Sequence, residues 1–230
     1  ESSDFTIRSA LKHPVTWLFG IAQGCAIGAE VINTTWAPIY LRDVYGWDPK
    51  TRGARFVSTF YMLYTISRLL SGFFIDYFGG LKSLVLYNSI LILLSVLAFL
   101  LGEKGVICLV LMGLFYAPFF PTIFTVAMTY FGRNVDRCTC VILFMYMIVN
   151  PVIQYIVGVL MKHIGVEWGY RFSVVVLLVL LVDLLLIGWF LKKKENDEKE
   201  ALLHSSQVLS VCLELFREYH VLCVPPFHTR

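Results

Sequence analysis

Ser71 to Lys82 reads SGFFIDYFGGLK, and it sits between two strongly apolar stretches. Within these twelve residues stand three glycines, an aspartate and a lysine. Gly72, Asp76, Gly79 and Lys82 are spaced by four, three and three residues, a pattern that ends one helix, turns tightly and starts another. The spacing assigns each residue a task. Gly72 is expected to let a neighbouring helix come close. Gly79 and Gly80 supply the backbone freedom of a very short link. Asp76, at a helix end, is expected to accept from backbone N–H groups or to sit near the positive pole of another helix. Lys82 stays at the membrane interface. A loop of this kind can hold two helices in one conformational state and release them in another. It can equally be an ordinary membrane hairpin with a solvated aspartate, and from these residues alone both readings stand.

The rest of the chain explains why a membrane is the right setting. Of 230 residues, 58% are hydrophobic and only 15% charged. Soluble domains carry about 25% charged residues. The net charge is +3, and no basic face interleaved with aromatics is visible, so no nucleic-acid partner is expected. Glu1 stands where an initiator methionine would, so the chain is expected to be a fragment or a processed product. Its first residues lack the pattern of a signal peptide. The six cysteines are expected as small apolar residues rather than a disulfide frame. Cys138-Thr139-Cys140 has no second ligand pair to complete a zinc site, so no metal or other cofactor is expected.

A helix needs about 20 apolar residues to cross the hydrocarbon core. Ser83–Gly102, Gly105–Gly132 and Cys138–Met161 meet that length without a charge. Pro14–Leu41, Phe56–Asp76 and Phe172–Leu191 meet it with Glu30, Arg68 and Asp183, respectively, inside. The expectation is an all-α integral membrane protein of six transmembrane helices. A β-barrel is excluded because the runs do not alternate. Residues 1–13 are expected to be an N-terminal cytoplasmic segment, 14–192 a six-helix bundle, and 193–230 a mobile or weakly helical cytoplasmic tail. The basic residues on the two sides nearly balance, so orientation rests on Lys192–Lys194 directly after the last apolar run. In the tail, Glu198 to Leu203 fits an acidic dileucine sorting pattern.

Several polar residues fall inside the apolar runs. Glu30 lies mid-span, where an acid costs roughly 2.5–3.5 kcal/mol to insert and is therefore expected to face a cavity. Asn33 follows one turn later, and either Trp36 or the Thr34–Thr35 pair extends that face. Such a stripe suits a hydroxylated solute, because hydroxyls need polar partners while an aromatic plate takes the apolar face of a ring. Glu30 can also be a protonated donor to a neighbouring helix. Tyr61, Tyr64, Thr65 and Arg68 share a face of the second run. Arg68 either pairs with an acid or anion, or snorkels to the interface. Gly113, Pro118 and Pro121, with Tyr116 nearby, are expected to kink the fourth run. Asn150 and Gln154 are i and i+4 on the fifth and need partners in lipid.

The stretch SRLLSGFFIDYFGGLK resembles the loop motif of the major facilitator superfamily: Gly, three residues, Asp, a basic residue, one residue, Gly and then basic residues. Tyr77 and Gly80-Leu81 depart from that pattern, and Arg68 and Lys82 keep its character. Leu111–Gly132 (LMGLFYAPFFPTIFTVAMTYFG) resembles the tenth helix of the fucose-permease-like branch, and Leu11–Glu30 the entry to its seventh. The likeness implies half of a twelve-helix fold, helices seven to twelve, each half built of inverted three-helix repeats. Gly158, Lys162 and Gly165 echo Gly72, Asp76 and Gly79 at the ends of the fifth and second runs. The resemblance implies a secondary transporter, or half of one, moving a small solute such as a sugar by alternating access. Read from their own placement in the runs, Glu30, Asn33, Trp36, Tyr61, Tyr64, Tyr116, Asn150 and Gln154 are the candidates for the substrate, and Arg68 with the loop-motif residues Gly72, Asp76, Gly79 and Lys82 those for gating. The resemblance places the branch's proton- and sugar-linked acids in the other half, so symport through Glu30 is a separate expectation. The expected partners are lipid, the solute, and an N-terminal six-helix half or a second copy. Two other classes compete with a transporter. One is a non-transporting fragment or receptor-like membrane protein. The other is a membrane-embedded enzyme, disfavoured because no histidine pairs with an acid within a helix. No phosphate-binding loop is present, so ATP does not drive the chain.

Overall fold

The computed structural model describes residues 6–222. They form helices, with no strand among the described residues. A short helix α1 (Ile7–Lys12) leads into α2 (Pro14–Val31). A π-helical turn (Ile32–Trp36) joins α2 to α3 (Ala37–Tyr45), so 14–45 is one rod with a widened turn. Then follow α4 (Ala54–Phe78) and α5 (Gly80–Leu101). The fourth rod is α6 (Val106–Tyr116) with α7 (Phe119–Phe131), and α8 (Val135–His163) and α9 (Val166–Leu222) complete the order.

Four stretches are long and apolar enough to cross a membrane: Pro14–Tyr45, Gly80–Phe131, Asp136–His163 and Val166–Glu200. The second holds 52 residues. As a straight rod it would measure about 78 Å, more than twice the hydrocarbon thickness. It is instead a hairpin, folded at the 3₁₀ turn Gly102–Gly105. There the chain returns so closely that a Cβ on Gly105 would lie 2.3 Å from the carbonyl oxygen of Ala98. The 25-residue α4 is long enough, but its tyrosines, serines, threonines and Arg68 lower its hydropathy below that of the other four. The described chain thus has six rods.

The tightest seam joins α2 to α8. Gly20, Gly24 and Gly28 recur every fourth residue and face Met145, Val149 and Ile153. A Cβ on them would sit 2.6, 2.5 and 2.7 Å from those side chains, so nothing larger than hydrogen fits. In lipid, where no hydrophobic force drives helices together, such close backbone approach is a main source of packing energy.

The link between α4 and α5 is one residue, Gly79, at φ 85° and ψ 143°, a conformation that side chains disfavour. The structure redistributes the tasks expected of this motif. Gly72 faces open space, with nothing within 4 Å of where a Cβ would stand, because it lies on the outward face of α4. The close approach belongs to Gly80, where a Cβ would meet Val126 of α7 at 2.9 Å. Asp76 and Lys82 are exposed.

The expected kink in the fourth rod is a break. Pro118 has no N–H, so the turn at Ala117–Pro118 separates α6 from α7 and leaves the Leu114 carbonyl, four residues back, without its helical donor. The Ser67 hydroxyl of α4 donates to that carbonyl. Thr122 Oγ1 donates to the Pro118 carbonyl at 2.6 Å and helps restart the helix. The chain divides into two compact units, Glu1–Gly188 and Trp189–Arg230, with the boundary inside α9. In the second unit the described residues are helical to Leu222, Lys199 pairs with Glu195 at 2.6 Å, and the Glu198–Leu203 pattern lies within the helix.

Candidate functional site

Three separate groups of polar side chains lie around the middle of the first rod. Glu30, near the end of α2, is half-buried, and its Oε2 accepts from the Tyr64 hydroxyl of α4 at 3.3 Å. Arg68, one turn further along α4, donates from Nη2 to the same hydroxyl oxygen at 3.4 Å. Its guanidinium lies 5.2 Å from the centre of the Tyr64 ring. Acid, phenol and guanidinium therefore form one chain across two helices, with an exposed cation at its end. Tyr61 is 44% exposed and stands edge-on to Tyr64 at 6.0 Å. Phe60 and the fully buried Tyr116 back these rings.

The second group lies at the π turn. Trp36 Nε1 donates to Gln154 Oε1 on α8 at 2.8 Å. Gln154 Nε2 donates to the Gly28 carbonyl at 3.0 Å and to Asn150 Oδ1 at 3.2 Å. Gly158 leaves room for the indole, whose edge lies 3.3 Å from where a Cβ would stand. The π turn has a local cause. Pro38 has no N–H to bond the carbonyl four residues back, at Thr34, and the helix accommodates the lost bond by widening just before it.

The third group is Asn33. It is only 2% exposed, and both ends of its amide are satisfied by protein. Nδ2 donates to the Leu109 carbonyl of α6 at 3.0 Å, and Oδ1 accepts from the hydroxyl of Tyr170 on α9. The sequence puts Glu30, Asn33 and Trp36 on one stripe, but the structure sends them to three different neighbours. Residues three apart on an α-helix already diverge by about 60°, and the π turn adds a further residue to the circuit. Asn33 acts as a buried strut between three rods.

Sequence reasoning missed Tyr170, Ser67 and the glycine seam. Tyr170 is 1% exposed and stacks on Tyr40 at 4.5 Å, where a tyrosine in a terminal turn gave no signal. Ser67 and the seam had readable signals: a proline four residues beyond a carbonyl, and glycines at every fourth position. Asn88 and Asp183 lie outside these groups. Asn88 donates to the Leu177 carbonyl at 2.9 Å, and Asp183 is 4% exposed with Oδ2 unpartnered among the described residues. No group of three or more His, Cys, Asp or Glu side chains suited to a metal gathers among the described residues.

Residues 19–224 match the family model of the Major Facilitator Superfamily. Among solved structures, the chain is similar to the crystal structure of a Major Facilitator Superfamily transporter, FucP, in the outward conformation. The TM-score is 0.72 at 18% identity, over 81% of this chain and 47% of that one. At that identity the likeness is one of fold, and the chain spans less than half the length of that transporter. No curated protein matches the chain.

Proposed function

Because the chain belongs to the Major Facilitator Superfamily, we propose that it forms one six-helix half of a secondary transporter that moves a small hydroxyl-bearing solute, such as a sugar, by alternating access. It is an integral, multi-pass membrane protein. In this reading α4 is a sixth crossing, and its polar, outward-facing side lines the path shared with a second half or a second copy. The chain has no catalytic role of its own.

The observation that carries the reading is the Glu30–Tyr64–Arg68 chain. An acid within a membrane segment is costly unless it serves a cavity or a partner. Here it is linked through a phenol to a cation on the exposed side of α4. Loss or gain of a proton on Glu30 changes its attraction for Arg68, and so changes which arrangement of α2 and α4 is favoured. In this reading Trp36 supplies an aromatic plate, and Gln154, bonded to Trp36, Gly28 and Asn150, an amide that exchanges one of these partners for a sugar hydroxyl. Tyr61 and Asn150 complete the wall, while the buried Tyr116 backs it and Asn33 holds it up. Arg68, Gly72, Asp76, Gly79 and Lys82 serve gating at the end of α4.

The test is uptake into proteoliposomes, with the missing half supplied, with and without an imposed pH gradient. Glu30→Gln keeps the hydrogen bond from Tyr64 but fixes the charge. The expected result is loss of gradient-driven accumulation with downhill exchange retained. Full accumulation in the variant removes Glu30 from coupling. No uptake of any sugar by the assembled wild type favours the receptor-like alternative.

A further inference from the structure

At the end of the bundle away from Gly79, the 45–54 connection, the Gly102–Gly105 turn and the adjoining ends of α4 and α6 line an open cavity of about 500 Å³. Its wall includes Arg52, Arg55, Lys104, Glu103, Trp47 and Phe56. Three cations face one carboxylate there.

The acids at this end are already engaged. Trp47 Nε1 donates to Glu103 Oε1 at 2.8 Å, which ties the two connections together and holds the carboxylate against the indole. Asp48 accepts from Thr51 Oγ1 at 2.8 Å and from the Lys50 backbone N–H at 3.2 Å. Those donors, the Thr51 hydroxyl foremost, hold its carboxyl below the ordinary range, so it is committed to capping its own turn. Asp43 pairs with Arg42 at 2.6 Å, and Glu167 pairs with Arg171. Arg52, Arg55 and Lys104 form no ion pair among the described residues, which leaves the cavity positive. Arg52 is held over the Trp47 ring, 5.7 Å from its centre, an orientation that places a guanidinium beside an aromatic plate. The buried Phe56 gives the cavity an apolar floor.

We propose that this cavity is a binding site for an organic phosphate or carboxylate, with its charged group on Arg52, Arg55 and Lys104 and its apolar part against Trp47 and Phe56. Guanidinium groups favour planar, bidentate contacts with such anions. The site also accounts for a feature of the sequence. Basic residues on the two sides of the membrane nearly balance, and those at this end serve a ligand rather than orientation. The anion has two sources, a dissolved solute or the headgroup of an anionic lipid, because the cavity lies at the level of the interface.

The experiment is calorimetric titration of phenyl phosphate into the purified chain at low salt in neutral detergent. The expected result is saturable binding that weakens at least about tenfold in Arg52→Gln combined with Arg55→Gln, with helical content unchanged. Lys50→Gln, outside the cavity, leaves the affinity unaltered. The titration is then repeated in phosphatidylcholine nanodiscs without and with phosphatidylglycerol. Binding in both identifies a solute site, and binding abolished by phosphatidylglycerol identifies a lipid headgroup as occupant. Equal affinity in the double variant, or no binding of either the aryl phosphate or the anionic lipid, overturns the proposal.

Discussion

Helices α2, of 18 residues, and α4, of 25, both carry glycines, yet they are built to opposite ends. On α2, Gly20, Gly24 and Gly28 are pressed against α8 with no space for a methyl group. On α4, Gly72 meets nothing, and Leu69, Phe73 and Tyr77 around it are 77%, 77% and 84% exposed. A glycine in a membrane helix therefore says only that close approach is allowed. Whether the neighbour belongs to the same chain is decided by the side chains one turn away. On α2, Thr16 and Gln23, one turn either side of Gly20, are buried, and on α4, Arg68, Leu69 and Asp76, one turn either side of Gly72, are exposed.

The largest effect expected from breaking this contrast comes at Gly24. Gly24→Leu drives a four-carbon side chain into Val149 across a gap that lacks room for one carbon. Overpacking of this kind costs about 1–3 kcal/mol and often more. The folded, monodisperse fraction in detergent should fall sharply. Gly79→Ala comes next, because φ 85° with ψ 143° strains any side chain. A loss of about 1–3 kcal/mol is expected, read as a lower thermal midpoint with the helical content intact. Ser67→Ala leaves the Leu114 carbonyl unsatisfied at the Pro118 break and should cost about 0.6 kcal/mol, the usual size of an interhelical hydrogen bond in lipid. Gly72→Leu should leave the midpoint of this chain within about 0.5 kcal/mol of wild type, as for other outward positions. The same variant sharpens the comparison if it blocks co-purification with a complementary half, because Gly72 would then be a close-approach residue toward that partner. A large loss of stability in the isolated chain would instead make α4 resemble α2.

The rods themselves were legible in the sequence, because membrane helices announce themselves by unbroken apolar length. The tight turn was legible too, and Gly79 shares its positive φ with Gly165, its echo 86 residues on, at 85° and 109°. The echo stops there. Gly158 accommodates the Trp36 ring, whereas Gly72 accommodates nothing in this chain. What composition and spacing did not disclose is which side of a helix each polar residue serves. Glu30 and Asn33 share a stripe on a wheel of constant pitch, but their partners come from different rods, and the turn widened ahead of Pro38 already includes Asn33. Pro118 announces an orphaned carbonyl in the sequence, but that Ser67, fifty-one positions earlier, supplies its donor emerges only from the fold. The cations at 52, 55 and 104 looked like topological signals until the fold placed them around one cavity.

The three glycines of α2 have a mechanical consequence. Successive contacts lie about 6 Å apart along the axis, so each side chain of α8 sits in its own notch. Sliding by any fraction of that distance lifts Met145, Val149 and Ile153 out of all three notches together. The two helices are keyed like a shaft and collar, and any movement of the bundle carries them as one beam. Flexing is left to the interrupted rod, at the joint between Tyr116 and Phe119.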